Sequence, residues 1–380
     1  MGRPDVHVVW FKRDLRVHDH AALTAAVETS APVLPLYVLE PSLLAHPHTS
    51  PRHVELILDG LADLRESLAA LGAPLVVRVG EVVDILEDLS TQVAVDSVHS
   101  HEEFGVLATW ERDRAVADWC RARGVRYREH RQSGAMRGLA SRDTWSRQRM
   151  ALFSRPLHRV PAAIRPTDVA PGPMPTLRDL GLIPEDMTYR QRGGEHAGRE
   201  VMRSWLTVRV PGYEKKLSSP VSGWAGCSRL SVHLALGTVS AREVHARVQA
   251  RKGEPGSPRF SLTAFEERLA WRDHFTQKLE DAPFIEQGLG RSIPANLLAN
   301  GGDTPLRLHD GGGVIDDRIR VAVALLARHK PWGRQQAVWY VAQFGNPSPH
   351  ELTRGVVVEL LLHRIVDPQF IHPRDTGLHL

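Results

Sequence analysis

The residues best suited to chemistry lie between Tyr213 and Leu279. Gly223-Trp224-Ala225-Gly226 reads as a Gly-rich turn, and Cys227-Ser228-Arg229-Leu230-Ser231 follows it directly. Two hydroxyls, a guanidinium and backbone N–H groups ahead of an apolar run of helical spacing suit a diphosphate. The same residues also suit an ordinary serine helix cap with a surface arginine. Further along, Arg268, Trp271, Arg272 and Phe275 fall at i, i+3, i+4 and i+7, so a helix carries them on one face. A core face would hold aliphatics there. Two arginines among aromatics make either a wall that meets flat rings and phosphates together, or a wet face at a domain contact.

Composition narrows the class. The chain has 380 residues, enough for two cored domains, and a net charge of +4. Its arginines concentrate between Arg121 and Arg165, where twelve stand against only Glu129 and Asp143. Such a run is a solvated surface or linker, or else a face that tracks phosphates. Cys120 and Cys227 are the only cysteines, far apart, which excludes a disulfide framework and fits a reducing cytoplasm. Twenty histidines include no HExxH and no Cys/His cluster at ligand spacing, so no metal site is expected. No leader pattern opens the sequence and no apolar run reaches membrane length, so no membrane partner is expected.

Residues 7–129 alternate β-branched apolar runs with amphipathic ones. His7 to Phe11, Pro32 to Leu39, Leu75 to Val79, Val93 to Val98 and Val125 to Tyr127 read as strands. Between them, Ile57, Leu61, Leu64, Leu68 and Leu71 mark a helix that stops at Gly72 with Pro74 beyond. Five strands alternating with helices predict an α/β domain over 1–130, a doubly wound parallel five-stranded sheet covered on both faces. No GxGxxG follows the first strand, so a dinucleotide-binding Rossmann site is not supported. The charged run Lys12-Arg13-Asp14-Leu15-Arg16 in the first loop could simply pair with itself on the surface. Residues 131–197 carry Pro156, Pro161, Pro166, Pro171, Pro173, Pro175 and Pro184, which favour an extended linker over a long helix. Helical patterning resumes over 198–380 and predicts an all-α C-terminal domain.

Several of these motifs together resemble the photolyase/cryptochrome family. Trp10-Phe11-Lys12-Arg13-Asp14-Leu15-Arg16-Val17-His18-Asp19-His20 is similar to the opening of its N-terminal domain, with His20 where Asn is commoner. In the family that domain holds an antenna chromophore (folate, deazaflavin or a second flavin), and nothing in this sequence says which. The stretch from Gly226 through Val244, with Phe265 to Glu280, resembles the family's FAD-binding domain. The resemblance implies that Tyr213, Cys227, Ser228, Arg229, Leu230, Ser231 and Arg272 hold FAD. Cys227 stands where Thr is usual, which removes one hydroxyl. It further implies that Lys215 and Lys216 meet DNA phosphates and that Trp271 stacks on damaged bases. Arg268 replaces an acid used by dimer-repairing members.

The resemblance covers about residues 6–290 and degrades after about 293. Trp332 and Trp339 are either remnants of the family's electron relay or core aromatics, and the late block that closes over the flavin ring is not found. A divergent short member, a truncated copy and an altered third segment are equally compatible with this. The implied function is a light-dependent lyase that splits cyclobutane pyrimidine dimers by electron transfer from excited reduced FAD. A cryptochrome-like photoreceptor and a non-catalytic remnant are the alternatives. The expected partner is damaged DNA, the expected state a cytoplasmic monomer, and no acid–base dyad is expected.

Overall fold

A computed structural model of the chain describes residues 5–185, 190–217 and 220–283. The first part runs β1 (Asp5–Phe11), α1 (Ala21–Val27), β2 (Val33–Leu39), α2 (Pro41–Leu44), α3 (Pro51–Ala70), β3 (Val76–Val79), α4 (Val82–Gln92), β4 (Ala94–His101), α5 (Leu107–Arg123) and β5 (Arg126–His130). The five strands are parallel in the order β3-β2-β1-β4-β5. All five predicted strands are present within a few residues. Alternation along β1 explains the two-faced core: Val9 and Phe11 pack with Leu23, Leu61, Leu64 and Leu68, while Val8 and Trp10 pack with Leu86, Leu89 and Val116. Helix α3 carries the predicted 4-3-4-3 stripe and ends at Leu71, with Gly72 at φ 103° just past it.

Segment 131–194 is mostly irregular, as its prolines require, but it is not a bare tether. A 3₁₀ turn (Arg142–Thr144) leads into α6 (Trp145–Phe153), whose Leu152 and Phe153 join the helical core. Farther on, Ile164 and Val169 plug opposite faces of the α/β core. Arg65 and Arg78 hold the backbone carbonyls of Ala170, Pro171 and Gly172, satisfying chain that no ladder could pair.

The helical part comprises α7 (Glu195–Ser204), a π-turn (Trp205–Arg209), α8 (Tyr213–Lys216), α9 (Pro220–Gly226), α10 (Ser231–Ala235), α11 (Ala241–Gly253) and α12 (Arg259–Asp281). Its core gathers Met202, Trp205, Tyr213, Leu230, Val244, Val248, Leu262, Phe265 and Leu269. The described residues pack as one unit. Among the described residues no helix is long and apolar enough to cross a membrane.

Candidate functional site

The first strand-to-helix loop is buried rather than a self-paired surface loop. Lys12 bonds Asp113 at 2.8 Å, and its ammonium lies 4.6 Å from the Trp10 ring. Arg112 sits 4.8 Å from the same indole and bridges Glu103 (2.6 Å), Asp113 (2.8 Å) and Glu40 (3.3 Å). Asp14 is fully buried and accepts from the Lys12 amide at 2.6 Å and from His101 Nδ1 at 2.7 Å, with His20 Nε2 3.1 Å away. Burial pushes its carboxyl up, but the two imidazole contacts outweigh that and hold it well below the usual carboxylate range.

Ligand-type atoms of Asp14, His20 and His101 lie within 4.8 Å of one another, close enough to hold a metal ion. The protons argue otherwise. His20 Nδ1 accepts from the Leu23 amide at 3.0 Å, capping α1, so the neutral ring carries its hydrogen on Nε2, towards Asp14. Ligation through Nε2 would forfeit that cap.

The same loop fastens the sheet to the helices. Arg16 donates to Gly237 O at 2.9 Å, and Leu15 N to Leu236 O at 3.3 Å. Asp19 pairs with Arg242 at 2.8 Å and accepts from Ser240 Oγ at 2.5 Å, while Glu195 receives Val17 N at 2.8 Å. Gly237 is required here: its φ is 62°, and a Cβ would meet Arg13 O at 2.1 Å.

Immediately before this joint comes the turn 227–230 and the single-turn helix α10. The residue at the helix cap is Leu230, not a serine, and Ser228 Oγ instead accepts from the Leu230 amide at 3.4 Å. The serine-cap alternative therefore does not hold. With five residues, α10 also contributes little dipole. The anion-binding feature is the turn: Arg229 is left-handed (φ 60°) and Leu230 right-handed (φ −83°, ψ −5°), an alternation that points successive N–H groups to one side. Its carbonyls are held from elsewhere. Arg209 donates to Cys227 O at 2.6 Å and Ser228 O at 3.4 Å, and Gln191 to Arg229 O at 3.1 Å. Burial pushes the Cys227 thiol up, and Ser231 is exposed.

Helix α12 buries Leu262, Phe265, Leu269, Asp273 and Gln277, and the predicted Arg268/Trp271/Arg272/Phe275 face lies half-buried beside that stripe. Arg268 stands 5.9 Å from the Trp271 ring, and Trp271 lies 6.4 Å from Phe275. Arg272 donates to Leu234 O at 2.8 Å, so α12 is tied to α10 one step beyond the turn. That bond links the Arg272 end of the face to the helix that follows the turn. Tyr213 is walled in by Trp205 at 5.6 Å and Phe265 at 5.7 Å, and burial drives its phenol above its usual range. Lys215 is exposed, whereas Lys216 folds its ammonium onto Pro211 O at 3.0 Å. Trp332 and Trp339 lie outside the described residues.

Three polar residues the sequence reading passed over anchor α12. Asp273 pairs with Arg149 at 2.7 Å, both buried, and the Gln277 amide receives Met136 N at 2.8 Å and donates to Met136 O at 2.9 Å. The available signal was Asp273 and Gln277 continuing the 262/265/269 apolar stripe. The arginine run needs correction too. Arg121, Arg123, Arg126, Arg137, Arg142 and Arg149 pair with Asp118, Glu87, Asp96, Asp113, Asp281 and Asp273. Half of the twelve arginines thus have acidic partners.

A five-stranded doubly wound sheet bolted through its first loop to a helical unit is the architecture of photolyases and cryptochromes. The solved cryptochrome of Synechocystis sp. PCC6803 superimposes with TM-score 0.66 at 19% identity, covering 99% of this chain and 94% of that one. A class III photolyase from Agrobacterium tumefaciens gives TM-score 0.62 at 22% identity, covering 90% and 76%. Residues 7–160 match the family model described as DNA photolyase. A cryptochrome DASH of Gloeobacter violaceus is 31% identical over 316 residues, 76% of this chain and 62% of that protein. A deoxyribodipyrimidine photo-lyase of Streptomyces griseus is 31% identical over 296 residues, 73% of this chain and 61% of that protein. The chain belongs to the photolyase/cryptochrome family, and its match spans about three fifths of the length of these two relatives.

Proposed function

We propose that the chain binds FAD and acts as a light-dependent lyase on cyclobutane pyrimidine dimers in DNA. The observation that supports this is the Arg272–Leu234 bond, which ties helix α12 to α10, the helix that follows the turn 227–230. The residues fit a flavin dinucleotide's diphosphate. The left-handed Arg229 aims backbone N–H groups outward, Ser228 and Ser231 supply hydroxyls, and the loss of a hydroxyl at Cys227 leaves these intact. Arg229 and Arg272 bring positive charge to that side, and Tyr213 stiffens the floor beneath α12. The chemistry that bound reduced FAD supplies is light-driven donation of one electron to the dimer and its recovery once the ring has split.

The chain's own contribution is position and electrostatics. Trp271 offers an aromatic surface for bases that have left the stack, and exposed Lys215 offers a cation to backbone phosphate. No proton transfer is needed, so no acid–base pair is assigned. The domain plan that goes with this has an antenna-type domain over 1–130, a linker over 131–197 and a FAD-binding domain from 198. A second reading has its own support: Arg268, a cation where dimer-repairing members carry an acid, favours a photoreceptor that binds flavin without repair. Illuminating the purified protein with a dimer-containing oligonucleotide separates the two. Light-dependent loss of dimers supports the lyase; flavin bleaching with dimers intact supports the receptor.

A further inference from the structure

We infer that Arg209, a residue of the π-turn, positions the turn 227–230 for the diphosphate; this rests on the proposed FAD binding. The guanidinium joins two pieces of chain. On its own side it donates to Val201 O at 3.0 Å and Ser204 Oγ at 3.0 Å, and across the gap to Cys227 O at 2.6 Å and Ser228 O at 3.4 Å. Gln191 takes the next carbonyl, Arg229 O, at 3.1 Å. In a trans peptide the C=O of one residue and the N–H of the next point in opposite directions. Fastening the carbonyls of 227 and 228 therefore aims the amides of 228 and 229 the other way, towards an anion, while the Leu230 amide turns to Ser228 Oγ and Gln191 steadies the Arg229 carbonyl beside it. It also sustains Arg229 at φ 60°, a conformation a non-glycine residue holds only when its surroundings insist. The π-turn matters because its wider i→i+5 closure, Val210 N to Trp205 O at 3.0 Å, sets where Arg209 leaves the helix. Lysine cannot do this work, since a point donor cannot serve four acceptors in a fork.

The test compares release of FAD with release of riboflavin, which has the ring but no diphosphate, from the full chain. Each flavin is loaded separately and its fluorescence followed on dilution. Wild type should release FAD far more slowly than riboflavin. Arg209→Gln should speed FAD release about tenfold, the scale of one charge-assisted contact set, and leave riboflavin release unchanged. Arg209→Lys should fall near Arg209→Gln. Equal acceleration of both flavins, or of neither, overturns the positioning role. If wild type itself does not prefer FAD, the proposed FAD binding fails as well, which is a different outcome. Should Arg209→Gln not fold, Gln191→Leu frees only the Arg229 carbonyl and should speed FAD release about threefold, again selectively. An unselective effect there overturns the inference too.

Discussion

Replacing Asp14 by alanine tests what holds the first strand-to-helix loop inside the α/β part. The carboxylate is fully buried, with three N–H groups around it: the Lys12 amide at 2.6 Å, His101 Nδ1 at 2.7 Å and His20 Nε2 at 3.1 Å. Alanine leaves the Lys12 amide and His101 Nδ1 without that acceptor and removes the charge beside His20 Nε2. Each orphaned buried donor costs about 1–3 kcal/mol, so even with some relaxation the loss should be about 3–5 kcal/mol. Urea unfolding followed by tryptophan fluorescence measures it, provided the slope with urea is unchanged. A loss below about 1 kcal/mol would refute the hydrogen-bonded trio. A wild type whose midpoint drops on adding a chelator would show that the three residues hold a metal instead.

Other consequences can be checked with the same tools. His233 is buried, and burial pushes its imidazole down to about 4, so the folded chain keeps it neutral while the unfolded chain takes a proton below about 6.5. Its contribution is therefore lost as pH falls from about 6.5 to 4, and His233→Gln should flatten the stability–pH curve there by up to about 1.4 kcal/mol per pH unit. Glu40 and Glu280, raised to about 7 by burial, pull the opposite way over the same range, so the variant-minus-wild-type difference is the quantity to read. Gly237→Ala places a Cβ 2.1 Å from Arg13 O at φ 62° and should lower stability by about 3 kcal/mol or more, seen as a lower unfolding midpoint and poor soluble yield. Trp271→Ala should weaken binding to dimer-containing over intact DNA by about 1–3 kcal/mol, the scale of one base–aromatic stack; unchanged discrimination in a fluorescence titration removes Trp271 from the lesion site.

The sheet was legible because its information is local. The β-branched and aromatic run His7 to Phe11 specifies a strand covered on both faces, and the Leu61/Leu64/Leu68 stripe specifies a helix and its buried face, without reference to anything distant. The Arg268/Trp271/Arg272/Phe275 face was legible for the same reason. What escaped depends on partners far along the chain. Lys12 and Asp113 are 101 positions apart, Arg149 and Asp273 are 124, and neither pair leaves a periodic trace. The arginine run looked uncompensated because its acids come from outside it, Glu87 and Asp281 among them. Arg209 leaves no sequence signal at all, since only the folded turn shows that its targets are carbonyls 18 and 19 residues away.

The most direct test of the central claim is the flavin content of the purified full-length chain. Denaturation should release FAD in amounts equimolar with protein, and Arg272→Leu together with Ser228→Ala should reduce that content sharply while the far-ultraviolet circular dichroism is kept. Protein that emerges colourless, and takes up no FAD when incubated with an excess, would contradict the account.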